Sequence, residues 1–168
     1  QAWEESLQML DLSHKMFNKA VKKSKKQESL TVLKKLKNRD REINSYQREV
    51  RRKIFTHFAI EQGTHDITSL MVLVMMIVDI ERIGDYSKNI LDLAINYPDA
   101  LDTKHLHKDL YDIEIEVKER FDHTIDAVKT QDIRDAGNLL KGFKKHVTGA
   151  SDRIVNNIIA GNLEFQSS

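Results

Sequence analysis

The sequence predicts an all-α fold, an antiparallel up-and-down bundle of about five long helices. Three observations predict it. Across 168 residues there are one Pro and six Gly, so helix breakers are scarce. Apolar residues recur at helical spacing, and no alternating strand pattern is present. The joints between the helical stretches are short, which makes sequential helices antiparallel neighbours. With 40% hydrophobic and 32% charged residues, the chain can bury a core and keep a charged outer surface.

The first helix is predicted from Trp3 to Lys26, with Leu7, Leu10, Phe17 and Val21 at helical spacings. The second follows Ser29, a residue suited to capping, and runs to about Gln62, where Gly63 ends it. Its Leu33, Leu36, Ile43, Val50 and Ile54 form a heptad-like stripe. The third opens near Thr64 or Asp66 and runs to Asn96, where Tyr97-Pro98 stops it, since Pro lacks the donor and restricts the residue before it. From Leu70 to Val78 this helix is apolar on nearly every face. That predicts a place in the middle of the bundle, covered on all sides, with Met71, Met75 and Met76 as core filler. The fourth spans Asp102 to Thr130. The fifth runs from Asp132 to Ile159, weakened locally by Gly142 and Gly149, and the tail GNLEFQSS is frayed.

Several function classes are excluded or disfavoured. Without Cys there is no disulfide, thiolate ligand or thiol nucleophile, which fits a reducing compartment. The longest apolar run, Leu70 to Val78, is about half of the roughly 20 residues a spanning helix needs, and no signal peptide is visible. The chain begins with Gln1, so its start has been processed or it is a domain of a longer chain. A net charge of +1 hides a basic stretch, Lys19 to Lys53, with fourteen Lys or Arg against four acids. Its plain reading is a solvated face; an anionic membrane or an acidic partner is the other. No recognition helix or aromatic interleaving supports nucleic-acid binding. His105 and His107 fall on different helix faces, and His57, His65, His123 and His146 are isolated. No nucleophile elbow supports a catalytic triad, and no Gly-rich loop is present to cradle a phosphate.

The informative segment is Asp79 to Ile90, DIERIGDYSKNI. Leu70, Val74 and Ile77 share one helix face, and Glu81 and Asp85 continue it. In the second helix, Asp40 occupies a stripe position that should be apolar, with Asn44 one turn on. If the two helices are antiparallel, both acidic positions lie at similar heights and face each other. Carboxylates crowded there repel and raise each other's pKa, so something compensates. A cation bound by the carboxylates is one answer; salt bridges from Arg82, Arg41 or Lys88 are the other.

Glu81-Arg82-Ile83-Gly84-Asp85-Tyr86, followed by Asn89-Ile90, resembles the E-R-I-G-D-x-x-x-N-I signature of PhoU proteins, and Asp40-Arg41-Glu42-Ile43-Asn44 resembles the acidic motif of their second helix. The resemblance is best over Leu30 to Ala94. It implies two three-helix repeats in a six-helix bundle, acidic motifs that bind iron, zinc or other divalent ions, and no catalysis. By position, Glu81, Asp85 and Asp40 would be metal ligands, with Asn44 a weaker fourth. It further implies a cytoplasmic regulator of phosphate import and signalling, working with a phosphate transporter or a membrane signalling protein. Such domains also form cytosolic parts of sodium/phosphate cotransporter-like proteins, so any membrane contact would come through a partner or an upstream transporter domain.

On that resemblance residues 1–98 form the first repeat, and residues 99–168 a partial second repeat packed on it as one domain. The second repeat departs from the pattern. Where its acidic helix motif belongs, the chain reads Lys144-Lys145-His146-Val147-Thr148, and the sixth helix is absent, so one metal site at most is expected. The open side of that repeat would be covered by another copy, a partner or further sequence. Two other readings stand beside this one. A metal-free helical interaction module would have its acids paired by arginine. A carboxylate-metal enzyme or storage bundle normally uses Glu-x-x-His pairs, and the chain has none.

Overall fold

The computed structural model describes residues 1–26, 28–60, 66–96, 108–141 and 144–161, and every regular element among them is helical. The chain divides into two compact units, Gln1–Ala100 and Leu101–Ser168.

The first unit contains α1 (Ala2–Ser24), α2 (Leu30–Lys37), α3 (Asp40–Ile60) and α4 (Ile67–Asn96). Glu4 and Glu5 in the first turn of α1 and Lys22 and Lys23 in its last turn complement the helix dipole. Ser29 caps α2 by accepting from the Val32 N–H. Cross-helix contacts fix the directions. Glu5 pairs with Lys53, and the Tyr46 hydroxyl donates to Gln8 at 3.4 Å, so α1 and α3 are antiparallel. Asp40 near the start of α3 meets Lys88 near the end of α4, so these two are antiparallel as well. The result is up, down, up, with α1 and α4 parallel. Met9, Met16, Ile43, Val50, Ile77 and Leu91 are fully buried between them. Ser6, Ser13 and Ser87 are also fully buried. The Ser13 hydroxyl is shared between its own helix at Met9 O, 3.0 Å, and Ile80 O of α4, 3.3 Å. Small side chains let these helices pack closely, and each hydroxyl finds a carbonyl, which removes most of the cost of burying it.

The second unit contains α5 (Lys108–Thr130), α6 (Ile133–Leu140), one π-helical turn (Lys144–Thr148) and α7 (Gly149–Ile159). Gln131, at φ 56°, makes the reversal after α5. Asp132 then caps α6, accepting from the N–H groups of Arg134 at 2.8 Å and Asp135 at 3.1 Å. The Arg120 guanidinium donates to the carbonyls of Leu139 and Lys141, and Arg153 donates to Asp109 at 3.2 and 3.3 Å. The chain after Asp132 therefore runs back along α5. Among the described residues, Phe121, Ile125, Ala127 and Ala150 are its buried apolar side chains.

Three expectations are corrected. The single second helix is two: α2 stops at Lys37, and α3 starts at Asp40. Across the joint, Arg39 N–H bonds to Leu36 O at 3.1 Å, Arg41 N–H to Asn38 O at 3.3 Å and Glu42 N–H to Arg39 O at 2.9 Å. These tighter i→i−3 bonds break the α-helical ladder where Asn38 and Asp40, both helix-end residues, sit close together. The fifth helix is also interrupted. Lys141 is extended, with ψ 134°, and Arg120 takes up carbonyls that the continuing helix would have used.

The third correction concerns the apolar run of α4. Met71, Val72 and Met75 are 56%, 58% and 64% exposed, so this stretch is not enclosed and Met71 and Met75 are not core filler. In so small a bundle each helix buries one seam, and that of α4 runs through Ile77, Ile80, Gly84, Ser87, Leu91 and Ala94. Several expected positions, namely Gln62, Gly63, Thr64, His65, Tyr97, Pro98, Asp102, His105, His107, Gly142 and the tail from Asn162, lie outside the described residues.

Candidate functional site

The sequence brings two acidic motifs together through ordinary helix geometry. Glu81 and Asp85 are one turn apart on α4, and the antiparallel α3 sets its first residue, Asp40, against them. Asp40 is 7% exposed, while Glu81, Asp85 and Asn44 are half-buried. The carboxylates of α4 stand beside its buried seam rather than in it, because the seam passes through Ile80 and Gly84.

Gly84 shapes the site. A Cβ there would lie 2.9 Å from Ile43 Cδ1 and 3.4 Å from Asp40 Oδ1. The missing side chain thus makes room for the first turn of α3 and its carboxylate. The start of α3 adds the positive end of a helix dipole at Asp40, which favours a carboxylate there.

Asp40 Oδ2 accepts from Asn44 Nδ2 at 3.0 Å and from Lys88 Nζ at 3.2 Å. The Lys88 ammonium also donates to Asp85 Oδ1 at 2.8 Å. One cation therefore bridges carboxylates of two helices. Asp40 Oδ1 is buried with no hydrogen-bond partner. Hydrogen bonding to Asp85, and then to Asp40, holds the Lys88 amine above the usual lysine value against the opposing effect of burial. Glu81 is pushed above the usual carboxylate value, first by burial and then by repulsion from Asp85 and Asp40.

All four proposed ligands, Asp40, Asn44, Glu81 and Asp85, thus fall in one neighbourhood, but not as a coordination sphere. Asn44 turns its amide hydrogens, not its oxygen, toward Asp40. Among the described residues no three His, Asp or Glu side chains are placed as a metal centre requires. A metal ion at Asp40 Oδ2 and Asp85 Oδ1 would meet the Lys88 ammonium already bonded to those two oxygens, so the metal implied by the resemblance does not fit at that pair while Lys88 is there. The other basic candidates go elsewhere or stay out: Arg82 pairs with Asp79 on the exposed face, and Arg41 is exposed.

The basic stretch is laced with ion pairs, including Lys23 with Glu28, Lys37 with Asp92 and Lys53 with Glu5. Sequence reasoning missed two hollows in the second unit, both with charged side chains in their lining. One of about 290 Å³ is lined by Glu116, Glu119, Arg120, His123 and Asp135, and one of about 270 Å³ by Asp109, Asp112, Glu116, His146 and Arg153. The signal for both was the spacing of Asp109, Asp112, Glu116 and Glu119 along one face of α5. Arg120 bonds to Glu116, and Arg153 to Asp109, so these acids are compensated by arginine.

A protein-family model described as the PhoU domain matches residues 7–94, more than half of the chain. No curated protein and no solved structure matches it.

Proposed function

Since the chain belongs to the PhoU family, we propose that it regulates inorganic phosphate uptake by binding protein partners, not by catalysis. The observation that carries this reading is the family match over residues 7–94, which encloses both acidic motifs and most of the unit in which they meet. The partner is a phosphate transporter or a membrane signalling protein, and the domain works in the cytoplasm, free or as the cytosolic part of a cotransporter-like protein. Membrane contact, on this reading, comes through a partner or an upstream transporter domain; no helix among the described residues is long and apolar enough to cross a membrane. A surface fit for such a partner is present at the α3–α4 end of the first unit. There Phe55, Phe58, Ile60, Ile67, Met71 and Met75 are all roughly half exposed or more. Exposed apolar side chains grouped at one end of a unit are a feature of interaction sites.

The test is a deletion strain grown with ample phosphate. Starvation genes should be expressed there despite the phosphate. The wild-type chain should restore repression, and a folded Phe58→Asp, Met75→Asp variant should not. Unchanged starvation-gene expression and unchanged phosphate uptake in the deletion strain would overturn the reading.

A further inference from the structure

The acidic site contains a charge that the family resemblance does not predict. Lys88 comes from the same helix as Asp85, one turn on, and its ammonium also reaches Asp40 across the helix pair. The 2.8 Å contact to Asp85 has the length of a charge-assisted hydrogen bond, the 3.2 Å contact to Asp40 is a longer ion pair, and both acceptors belong to residues named by the resemblance as metal ligands. We propose that Lys88 is a tethered counter-cation that takes the place of a metal ion in this site, so that the wild-type chain does not hold a divalent metal through Asp40 and Asp85.

Three features of the site support it. A primary ammonium offers three donors and no acceptor, which matches a position surrounded by carboxylate oxygens. Because it is covalently attached, it occupies the position without the translational cost that a free ion incurs on binding. The charges also favour it. Asp40, Asp85 and Glu81 bring three carboxylates together, and Lys88 is the cation bonded to two of them. Removing its charge would leave three repelling carboxylates and expose two further oxygens beside Asp40 Oδ1, which has no partner already. The vacated point would then lie between carboxylate oxygens of two helices, an arrangement that suits a divalent cation. Lys88 therefore decides between an internally neutralised site and a metal site built from the same acids. This inference uses the family reading only for the identity of the ion replaced, and its outcome does not depend on whether the chain regulates phosphate uptake.

The experiment is a calorimetric titration of the full chain with zinc and, without oxygen, ferrous iron, paired with elemental analysis after desalting. Wild type, Asp85→Asn, Lys88→Gln and the Lys88→Gln, Asp85→Asn double variant are compared. Wild type should show no uptake that depends on Asp85. Lys88→Gln should bind about one equivalent at least about tenfold more tightly than wild type, as expected when a competing unit charge a few ångströms away is removed. The double variant should lose that gain. Metal bound by wild type and lost in Asp85→Asn would overturn the proposal, as would a folded Lys88→Gln that binds no more tightly than wild type. If Lys88→Gln does not fold, wild type against Asp85→Asn decides: Asp85-dependent binding overturns the proposal and its absence upholds it.

Discussion

Gly84 is in a helix interior, where glycine costs stability, yet its hydrogen faces the fully buried Ile43 and the carboxylate of Asp40. Replacing it with Val puts three carbons where none fits, and the expected cost is about 2–3 kcal/mol in urea unfolding. Ala should cost less, because its better helix propensity, about 1 kcal/mol, offsets part of the crowding from the end of the Ile43 side chain. At this scale the meeting of Asp40 with Glu81 and Asp85 was legible, since i,i+4 spacing and antiparallel helices predict it. Lys88 was one of several cations within reach, and sequence spacing could not choose among them. The role of Gly84 was not legible, because it depends on how closely two particular helices cross.

Among the elements, α4 shows how a cap and a seam set a helix. Asp66 accepts from the Ser69 hydroxyl and, at 3.1 Å, from its N–H, and these bonds hold the carboxyl below its usual value, the hydroxyl contributing most. A carboxyl depressed in the folded state adds stability above its ordinary value and loses it as the pH falls through the folded one. Asp66→Ala should therefore melt below wild type at neutral pH, with the gap narrowing as the pH falls below the ordinary Asp value of about 3.9. Along the same helix, Ile77→Ala should cost about 2–5 kcal/mol, whereas Met75→Lys, two residues earlier, should stay within about 0.5 kcal/mol of wild type. Chemical denaturation of both variants reads the contrast. The apolar run of α4 gave its helical state and length but not its exposure, because hydrophobicity on every face does not say how many neighbours a helix has. The joint at Asn38 and Arg39 was hidden for a related reason: Leu33, Leu36, Ile43 and Val50 keep their buried stripe across it.

For the molecule as a whole, the first unit has its own core, with Met9, Met16, Ile43, Val50, Ile77 and Leu91 fully buried among α1, α3 and α4. Residues 1–96 produced alone should unfold cooperatively, followed by circular dichroism; a broad, non-cooperative melt would contradict this. The helical class of the whole chain was legible from its scarce glycine and proline. The interruption after α6 was less so, since it depends on the extended Lys141 and on an arginine of another helix. The α3–α4 end has a consequence for handling the protein in solution. Phe55 and Phe58 follow Arg51 and Arg52 along α3, so exposed aromatic side chains lie next to charged ones, with Arg52 paired to Glu49. Charge repulsion between molecules reaches about 10 Å near 0.1 M salt and about 3 Å near 1 M, whereas the attraction between exposed apolar side chains is not screened by salt. The hydrodynamic radius should therefore grow with ionic strength, and dilute buffer, not brine, is the medium in which this chain stays clear.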